Sequence, residues 1–355
     1  YNDYMFNQLG VTINSVETLR IDQAQGATDA YVLQQVAQAE AIWFAGGDQA
    51  DYVNYFKDNA LEDLLNEHIN IKQYPIGGIS AGMAIMGEFY FDALNGTVTT
   101  AEALSNPFDN KVSIGSSDFI DAELLSNTIT DTHYDNPDRR GRHMVFLVRL
   151  HAQTGQRVFG IGLDEFTAAC IDHNGIANIY GDFPSFNDYA YFIQVNCLNN
   201  TTPENLSPNQ ALDWNLNQEA VKAYVVAGIP DGSNTFNLNT WKTGNGGQWE
   251  DWWVDQGSFQ SQTSTAIDCE NLSINEFETT SITVFPNPFK NEINIKSTPT
   301  IEQIDIFDIN GKSLKSFRFN LNDTKVNLES LNSGIYFLRV GYEDNQFKCF
   351  KVVKN

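Results

Sequence analysis

Lys72-Gln73-Tyr74-Pro75-Ile76-Gly77-Gly78-Ile79-Ser80-Ala81-Gly82-Met83-Ala84-Ile85-Met86-Gly87 is the stretch that decides the fold of this 355-residue chain. Residues 72–76 read as a strand that stops at Gly77-Gly78, and 81–87 read as the start of a helix. Between them, Gly78-Ile79-Ser80-Ala81-Gly82 matches the pattern G-x-S-x-G at a strand-to-helix turn. The glycines permit a sharp, strained bend that lifts the serine hydroxyl above a sheet. The helix N-terminus beneath favours negative charge. The Ala81 N–H is placed to donate to an oxyanion.

Working outward, residues 28–39 predict a helix capped by Thr28, with Tyr31, Val32, Val36 and Ala39 on one face. Residues 9–19 read as a short strand region. Ala41-Ile42-Trp43-Phe44-Ala45 is a buried strand stopped by Gly46-Gly47, and 52–68 is helical. Strands alternating with helices at this spacing predict an α/β fold: a parallel sheet flanked by helices. Functional loops of such sheets lie at the carboxyl ends of the strands.

A serine nucleophile needs a base. Of five histidines, His133 follows the apolar run 124–129 in Asp131-Thr132-His133-Tyr134, where a strand end would bring it to the rim that carries Ser80. His68 ends a helix and reads as a surface or C-capping residue. His143, His151 and His173 read as ordinary surface or core residues. A third group must hold the imidazole. Gly160-Ile161-Gly162-Leu163-Asp164-Glu165 reads as a strand ending in two carboxylates, and either could serve.

Residues 181–270 look less regular. Trp241, Trp249, Trp252 and Trp253 read as packing residues, with a stacking surface for glycan or peptide as the alternative. Residues 271–280 are a polar linker. Beyond it Ile282, Val284, Ile293, Ile295, Ile304, Ile306, Val326, Leu328, Tyr336, Leu338 and Val340 alternate with polar residues, and Asn310-Gly311 is a hairpin-turn signal. That pattern predicts a small all-β sandwich of about seven strands. Charge supports the boundary. Residues 281–355 hold 10 Lys and Arg against 8 Asp and Glu, which leaves 11 against 37, a net −26, for residues 1–280.

A net charge of −24 repels phosphates and excludes a nucleic-acid partner; an acidic surface attracts cationic substrates. None of the four cysteines forms a CxxC pair, so zinc and thioredoxin chemistry have no support. A disulfide such as Cys197–Cys269 and free buried thiols both stay open. No window approaches a membrane-spanning apolar run. No signal peptide is visible, and the opening reads as the middle of an α/β domain, so an upstream segment is expected.

Four stretches together carry a resemblance. Ala45-Gly46-Gly47-Asp48-Gln49, the elbow around Ser80, Asp131-Thr132-His133-Tyr134 with the following Arg139, Arg140 and Arg142, and Gly160 through Glu165 occur in the order seen in the cyanophycinases. These belong to the serine peptidase family that includes dipeptidase E. The resemblance covers roughly residues 1–200. It implies a class I glutamine amidotransferase-like fold whose first strand would precede Tyr1. It also implies Ser80 as nucleophile, His133 as base and Glu165 as third member, with Asp164 the substitute. Gly47 and Asp48 would join Ala81 in the oxyanion hole. Gln49, Asp131 and Thr132 would contact substrate, and Arg139, Arg140 and Arg142 would meet its carboxylate, for which a guanidinium suits. The family cleaves β-aspartyl linkages and needs no metal or cofactor. Here Thr132 replaces the usual Gln and Pro137-Asp138 lengthen the loop, so another isopeptide or a small acidic peptide stands beside cyanophycin as substrate.

The tail also resembles a known family. Val284-Phe285-Pro286-Asn287-Pro288-Phe289, residues 304–312 and residues 331–340 are similar to a type IX secretion C-terminal sorting domain. This implies a Gram-negative bacterium, the type IX machinery as partner of residues 281–355, and delivery to the outer surface or beyond. A homodimer is compatible with the sequence. The rival reading is a catalytically idle surface protein that holds peptide or glycan. Serine at position 80, where an amidotransferase carries cysteine, argues against that chemistry.

Overall fold

Asp29, not Thr28, starts the first long helix: its carboxylate accepts from the Tyr31 and Val32 N–H groups at the head of α1 (Ala30–Gln38), which satisfies two orphan donors of the first turn. The computed structural model describes residues 3–10, 12–269, 282–308, 312–342 and 346–355, with the backbone alone at 299, 346 and 349. The expected linker at 271–280 and the Asn310-Gly311 turn lie outside the described residues. The chain divides into two units, Tyr1–Cys269 and Glu270–Asn355.

In the first unit β1 (Ile42–Phe44) leads to α2 (Gln49–Phe56) and α3 (Ala60–Asn70). The helix expected over 52–68 is thus two. Asp58 turns to φ +60° and Asn59 caps α3 by accepting from the Leu61 N–H at 3.0 Å. Strand β2 (Ile76–Gly78) pairs parallel with β1, and a single turn, α4 (Ala81–Ala84), follows it. The strand expected at 9–19 is not formed by the described residues there. Alternation alone does not supply a hydrogen-bonding partner, and Leu19 and Ile21 pack instead against the core of α1 to α3.

The chain continues through β3 (Phe89–Phe91), α5 (Thr100–Ser105), β4 (Ile114–Ser116), β5 (Thr128–Thr132), α6 (Arg140–Thr154), β6 (Phe159–Leu163), β7 (Thr167–Ile171) and β8 (Ile176–Gly181). It closes with β9 (Tyr189–Val195), β10 (Val221–Ala227), β11 (Asn234–Asn237), β12 (Gly244–Asn245), β13 (Gly247–Asp255) and β14 (Ser258–Thr263). The main sheet runs β14-β13-β10-β9-β6-β5-β3-β4, and a second runs β12-β11-β8-β7. Strands β3, β5 and β6 are parallel, as the α/β reading requires. From β6 to β14 the pairings are antiparallel, so the expected parallel sheet is extended by the region that looked irregular.

That region hid its strands for a physical reason. β9 and most of β10 are buried, so they show no polar alternation. Inside β10, Lys222 breaks the apolar run, yet it is buried against Asp251 at 2.5 Å. Trp241, Trp249, Trp252 and Trp253 are all buried, so they serve packing and offer no stacking surface. His68 is fully buried too, its Nε2 3.0 Å from the Pro75 carbonyl oxygen; it is a core residue, not a surface cap.

The second unit is all β: β15 (Ile282–Phe285), β16 (Glu292–Phe307), β17 (Ser313–Asn327), β18 (Gly334–Tyr342) and β19 (Gln346–Lys354). Where about seven short strands were expected, the described residues form five, two of them long. Glu292–Phe307 is one long strand, shifted in register against β17 between Lys296 and Ile301. Such an irregularity bends a strand without ending it. Ile293, Ile295, Ile304, Ile306, Leu338 and Val340 fill its core, as the alternation predicts.

Cys197 and Cys269 form a disulfide across 72 residues of sequence, and Cys170 is a free, exposed thiol. Disulfides of this kind typically contribute about 2–4 kcal/mol to stability. Replacing both cysteines by alanine should lower the denaturant midpoint of the first unit accordingly. An unchanged midpoint would show that the bridge adds nothing to its stability.

Candidate active site

The site is built where parallel strands end. Past β1 come Gly46, Gly47 and Asp48; past β2 comes Ser80; past β3 the loop with Ala93 and Thr97; past β5 His133; and past β6 Glu165. Ser80 sits at φ +53°, ψ −120°, a conformation that non-glycine residues avoid and that marks strain. Close backbone approach forces it. A Cβ on Gly78 would lie 2.4 Å from the Gly82 carbonyl, and one on Gly82 would lie 2.5 Å from the Phe44 carbonyl oxygen. The glycines of G-x-S-x-G are therefore steric necessities here.

The Ser80 hydroxyl lies 2.8 Å from His133 Nε2, and His133 Nδ1 lies 2.7 Å from Glu165 Oε1. Serine and imidazole are half-buried. Burial raises the Glu165 carboxyl, but hydrogen bonds from His133 and Asp135 outweigh it and hold the group below its ordinary value. Asp135 moves the other way, raised by burial and by the Glu165 carboxylate beside it. Asp164 does not touch His133. Its carboxylate accepts from the Tyr189 N–H at 2.8 Å and the Tyr191 hydroxyl at 3.3 Å. Burial pushes it up to about 7, so it is poorly suited to balance an imidazolium. Of the two acids that the sequence leaves open, Glu165 is the one at the histidine.

A cleft of about 460 Å³ opens over Ser80 and His133, lined among others by Gly47, Asp48, Gln49, Ala81, Thr132 and Arg139. The Asp48 side chain caps α2 by accepting from the Ala50 N–H at 3.0 Å. Ala81 opens a helix, and the first N–H groups of a helix have no intrahelical acceptor.

The three arginines separate. Arg140 is bidentate with Asp138 and lies over the Phe259 ring, outside the cleft lining. Arg142 borders the cleft but is spent: Nε and Nη2 donate to Asp131 at 2.8 and 2.5 Å, and Nη1 reaches the Val98 carbonyl and Thr97. Asp131 is thereby consumed as well. Both expectations of substrate contact are corrected for these two residues, because a buried charge pair leaves neither group free. Arg139 alone keeps its charge uncommitted: Nη1 donates to the Thr132 carbonyl at 3.2 Å, and no carboxylate of the described residues lies within 4 Å. The sequence reading missed Ala93 and Thr97. Their signal was the Asn95-Gly96 turn at the carboxyl end of β3, where the strand-end rule places functional loops.

The fold and these contacts define an α/β protein with a serine on a nucleophile-elbow turn, hydrogen-bonded to a histidine and through it to an acid. Residues 2–178 match Peptidase family S51, and the chain belongs to that family. It is 24% identical over 177 residues to a cyanophycinase of Trichormus variabilis, covering 50% of this chain and 53% of that protein. A cyanophycinase of Geminocystis herdmanii is 25% identical over 177 residues, covering 50% and 58%. The chain thus spans little more than half the length of these relatives. A peptidase structure from an acI-B1 Actinobacterium matches with a TM-score of 0.33 at 16% identity, covering 46% of this chain and 59% of that one. Residues 283–355 match the Secretion system C-terminal sorting domain. This tail marks the chain for type IX sorting to the cell surface or the medium. No helix among the described residues is long and apolar enough to cross a membrane.

Burial pushes the Asp131 carboxyl up, but the Arg142 charge and hydrogen bonds outweigh it and hold it below the ordinary range. Its contribution to stability is therefore complete above the unfolded value of about 3.9 and is lost as pH falls through the folded one. Asp131→Ala strands a buried guanidinium and should cost about 3–5 kcal/mol, measured by chemical denaturation at pH 7. A loss below about 1 kcal/mol, the range of surface pairs, would contradict the reading.

Proposed function

We propose that the chain is a secreted serine peptidase that hydrolyses β-aspartyl linkages through an acyl-enzyme. The observation that carries this reading is the hydrogen-bonded line from Ser80 through His133 to Glu165. His133 Nε2 takes the Ser80 proton as the hydroxyl oxygen attacks the scissile carbonyl. Glu165 holds Nδ1–H and balances the imidazolium. The N–H groups of Ala81 and Gly47 receive the oxyanion. His133 then returns the proton to the leaving amine, and water, deprotonated by the same imidazole, clears the ester. No metal or organic cofactor enters any step.

The β-aspartyl specificity rests on the relatives, which are named cyanophycinases, and on Arg139. An uncommitted guanidinium in the cleft lining suits the free carboxylate of an aspartyl unit. Gln49 and Thr132 border the same cleft and would complete the contact. Residues 281–355 would engage the type IX machinery during export.

The test is a substrate panel: β-aspartyl-arginine, β-aspartyl-lysine and ordinary α-peptides. The β-aspartyl dipeptides should be cleaved, and Ser80→Ala should lower kcat by about three orders of magnitude or more with the fold intact. Arg139→Ala should raise KM for the β-aspartyl substrates, and Arg139→Lys should recover only part of the loss, because an ammonium cannot form the bidentate contact. Cleavage of α-peptides alone would overturn the isopeptide assignment, and full turnover by Ser80→Ala would remove the serine from the mechanism.

A further inference from the structure

His133 also sits at positive φ, +53°, a backbone state uncommon outside glycine. Its two neighbours are clamped. The Thr132 N–H donates to Asp131 Oδ1 at 2.8 Å, and the Thr132 carbonyl accepts from Arg139. The Tyr134 N–H donates to the Leu163 carbonyl at 3.3 Å, and the Tyr134 carbonyl accepts from the Arg139 N–H at 3.1 Å. Beyond the backbone, the Tyr134 hydroxyl lies 2.8 Å from Nδ1 of His143 on α6. Both side chains are fully buried.

Strand β6 is cut to fit this pair. A Cβ on Gly160 would meet the His143 ring at 2.5 Å, and one on Gly162 would meet the Tyr134 ring at 2.4 Å. Three residues past Gly162 the same strand delivers Glu165. Burial holds His143 down to about 4 and raises the Tyr134 phenol, so at neutral pH both partners of the contact are uncharged. The pair lies among Tyr191, Trp252 and Phe146, where an apolar residue would pack as well. His143 Nε2 has no hydrogen-bond partner among the described residues, so the contact at Nδ1 is what orients the ring in that setting.

We infer that Tyr134 and His143 are a positioning pair that fixes the His133 imidazole between Ser80 and Glu165; this rests on the hydrolase reading above. The pair ties the turn that carries His133 to α6 and packs on the strand that carries Glu165. It does not touch the reacting atoms.

Tyr134→Phe removes one oxygen atom. Its unfolding midpoint should stay close to wild type, while kcat for β-aspartyl-arginine falls about tenfold and KM changes less than about twofold. His143→Leu should lower kcat similarly, and the double variant should be no worse than the more damaged single one, because the two act as a unit. His143→Asn, whose amide oxygen can replace Nδ1 as acceptor, should recover most of the loss. A second readout needs no turnover: the low-field proton resonance of the His133–Glu165 hydrogen bond, assigned by its loss in His133→Ala, should shift in Tyr134→Phe. Wild-type kcat with an unmoved resonance in Tyr134→Phe would overturn the inference. So would a loss that lies wholly in KM or follows unfolding. If wild-type protein leaves β-aspartyl-arginine intact, the β-aspartyl reading fails, and the resonance still decides the role of the pair.

Discussion

Two glycine backbones, those of Gly78 and Gly82, lie so close across the bend at Ser80 that neither tolerates a side chain. This contact turns β2 into α4 within two residues and holds the serine in its strained conformation. Neighbouring elements are set against it. Phe44, at the end of β1, presses its carbonyl against Gly82, and Gly46 comes within 3.2 Å of the Ser80 side chain when given a Cβ. On the other side, buried Thr130 of β5 donates to the Met83 carbonyl of α4 at 2.6 Å. That bond fixes the spacing between the elbow and the strand that leads to His133. The Ser80–His133 distance is thus a consequence of backbone packing, and the hydroxyl needs no adjustment to reach the imidazole.

Electrostatics then divides groups that look alike. Asp164 and Glu165 are adjacent carboxylates, yet burial leaves the first near 7 and imidazole contact holds the second low. Splitting two acids by environment is how one site keeps one group neutral and one charged at the same pH. The arginines are split in the same way. On α6, Arg142 points into the core between Phe91 and Phe146 and is neutralised by Asp131. Arg140 is drawn outward by Asp138, and Arg139, at the helix cap, faces the cleft.

These divisions explain what the sequence could and could not disclose. The elbow was legible because its requirement is local: only glycine at 78 and 82 and a strand-to-helix change are needed. His133 and Glu165 were reachable through the strand-end rule, since each follows the last residue of a parallel strand by one or two positions. The strand-end pattern did not choose between Asp164 and Glu165, although the resemblance pointed to Glu165, because the choice depends on which carboxylate Tyr189 and Tyr191 cover. Nor were the separate fates of Arg139, Arg140 and Arg142, which depend on about 100° of helical rotation per residue. The antiparallel half of the sheet escaped notice because buried strands lose their alternation. The contact between Tyr134 and His143 left no motif; its trace was the pair of glycines in Gly160-Ile161-Gly162, each of which faces one of the two rings.

Commitment of Asp131 to Arg142 also bears on selectivity. Residues 1–280 carry a net −26, a field that draws cations and repels free acids. Within that field the cleft lining contains a single cation without a carboxylate partner, Arg139. A purely anionic peptide would be turned away at a distance, and a purely cationic one would leave the Arg139 guanidinium unmet. On the proposed reading, the ligand best matched to both terms is dipolar: a carboxylate close to the scissile bond and a positive charge further along. Had Arg142 been left free, a second cation in the cleft would relax that demand, so the buried pair narrows the site as well as stabilising it.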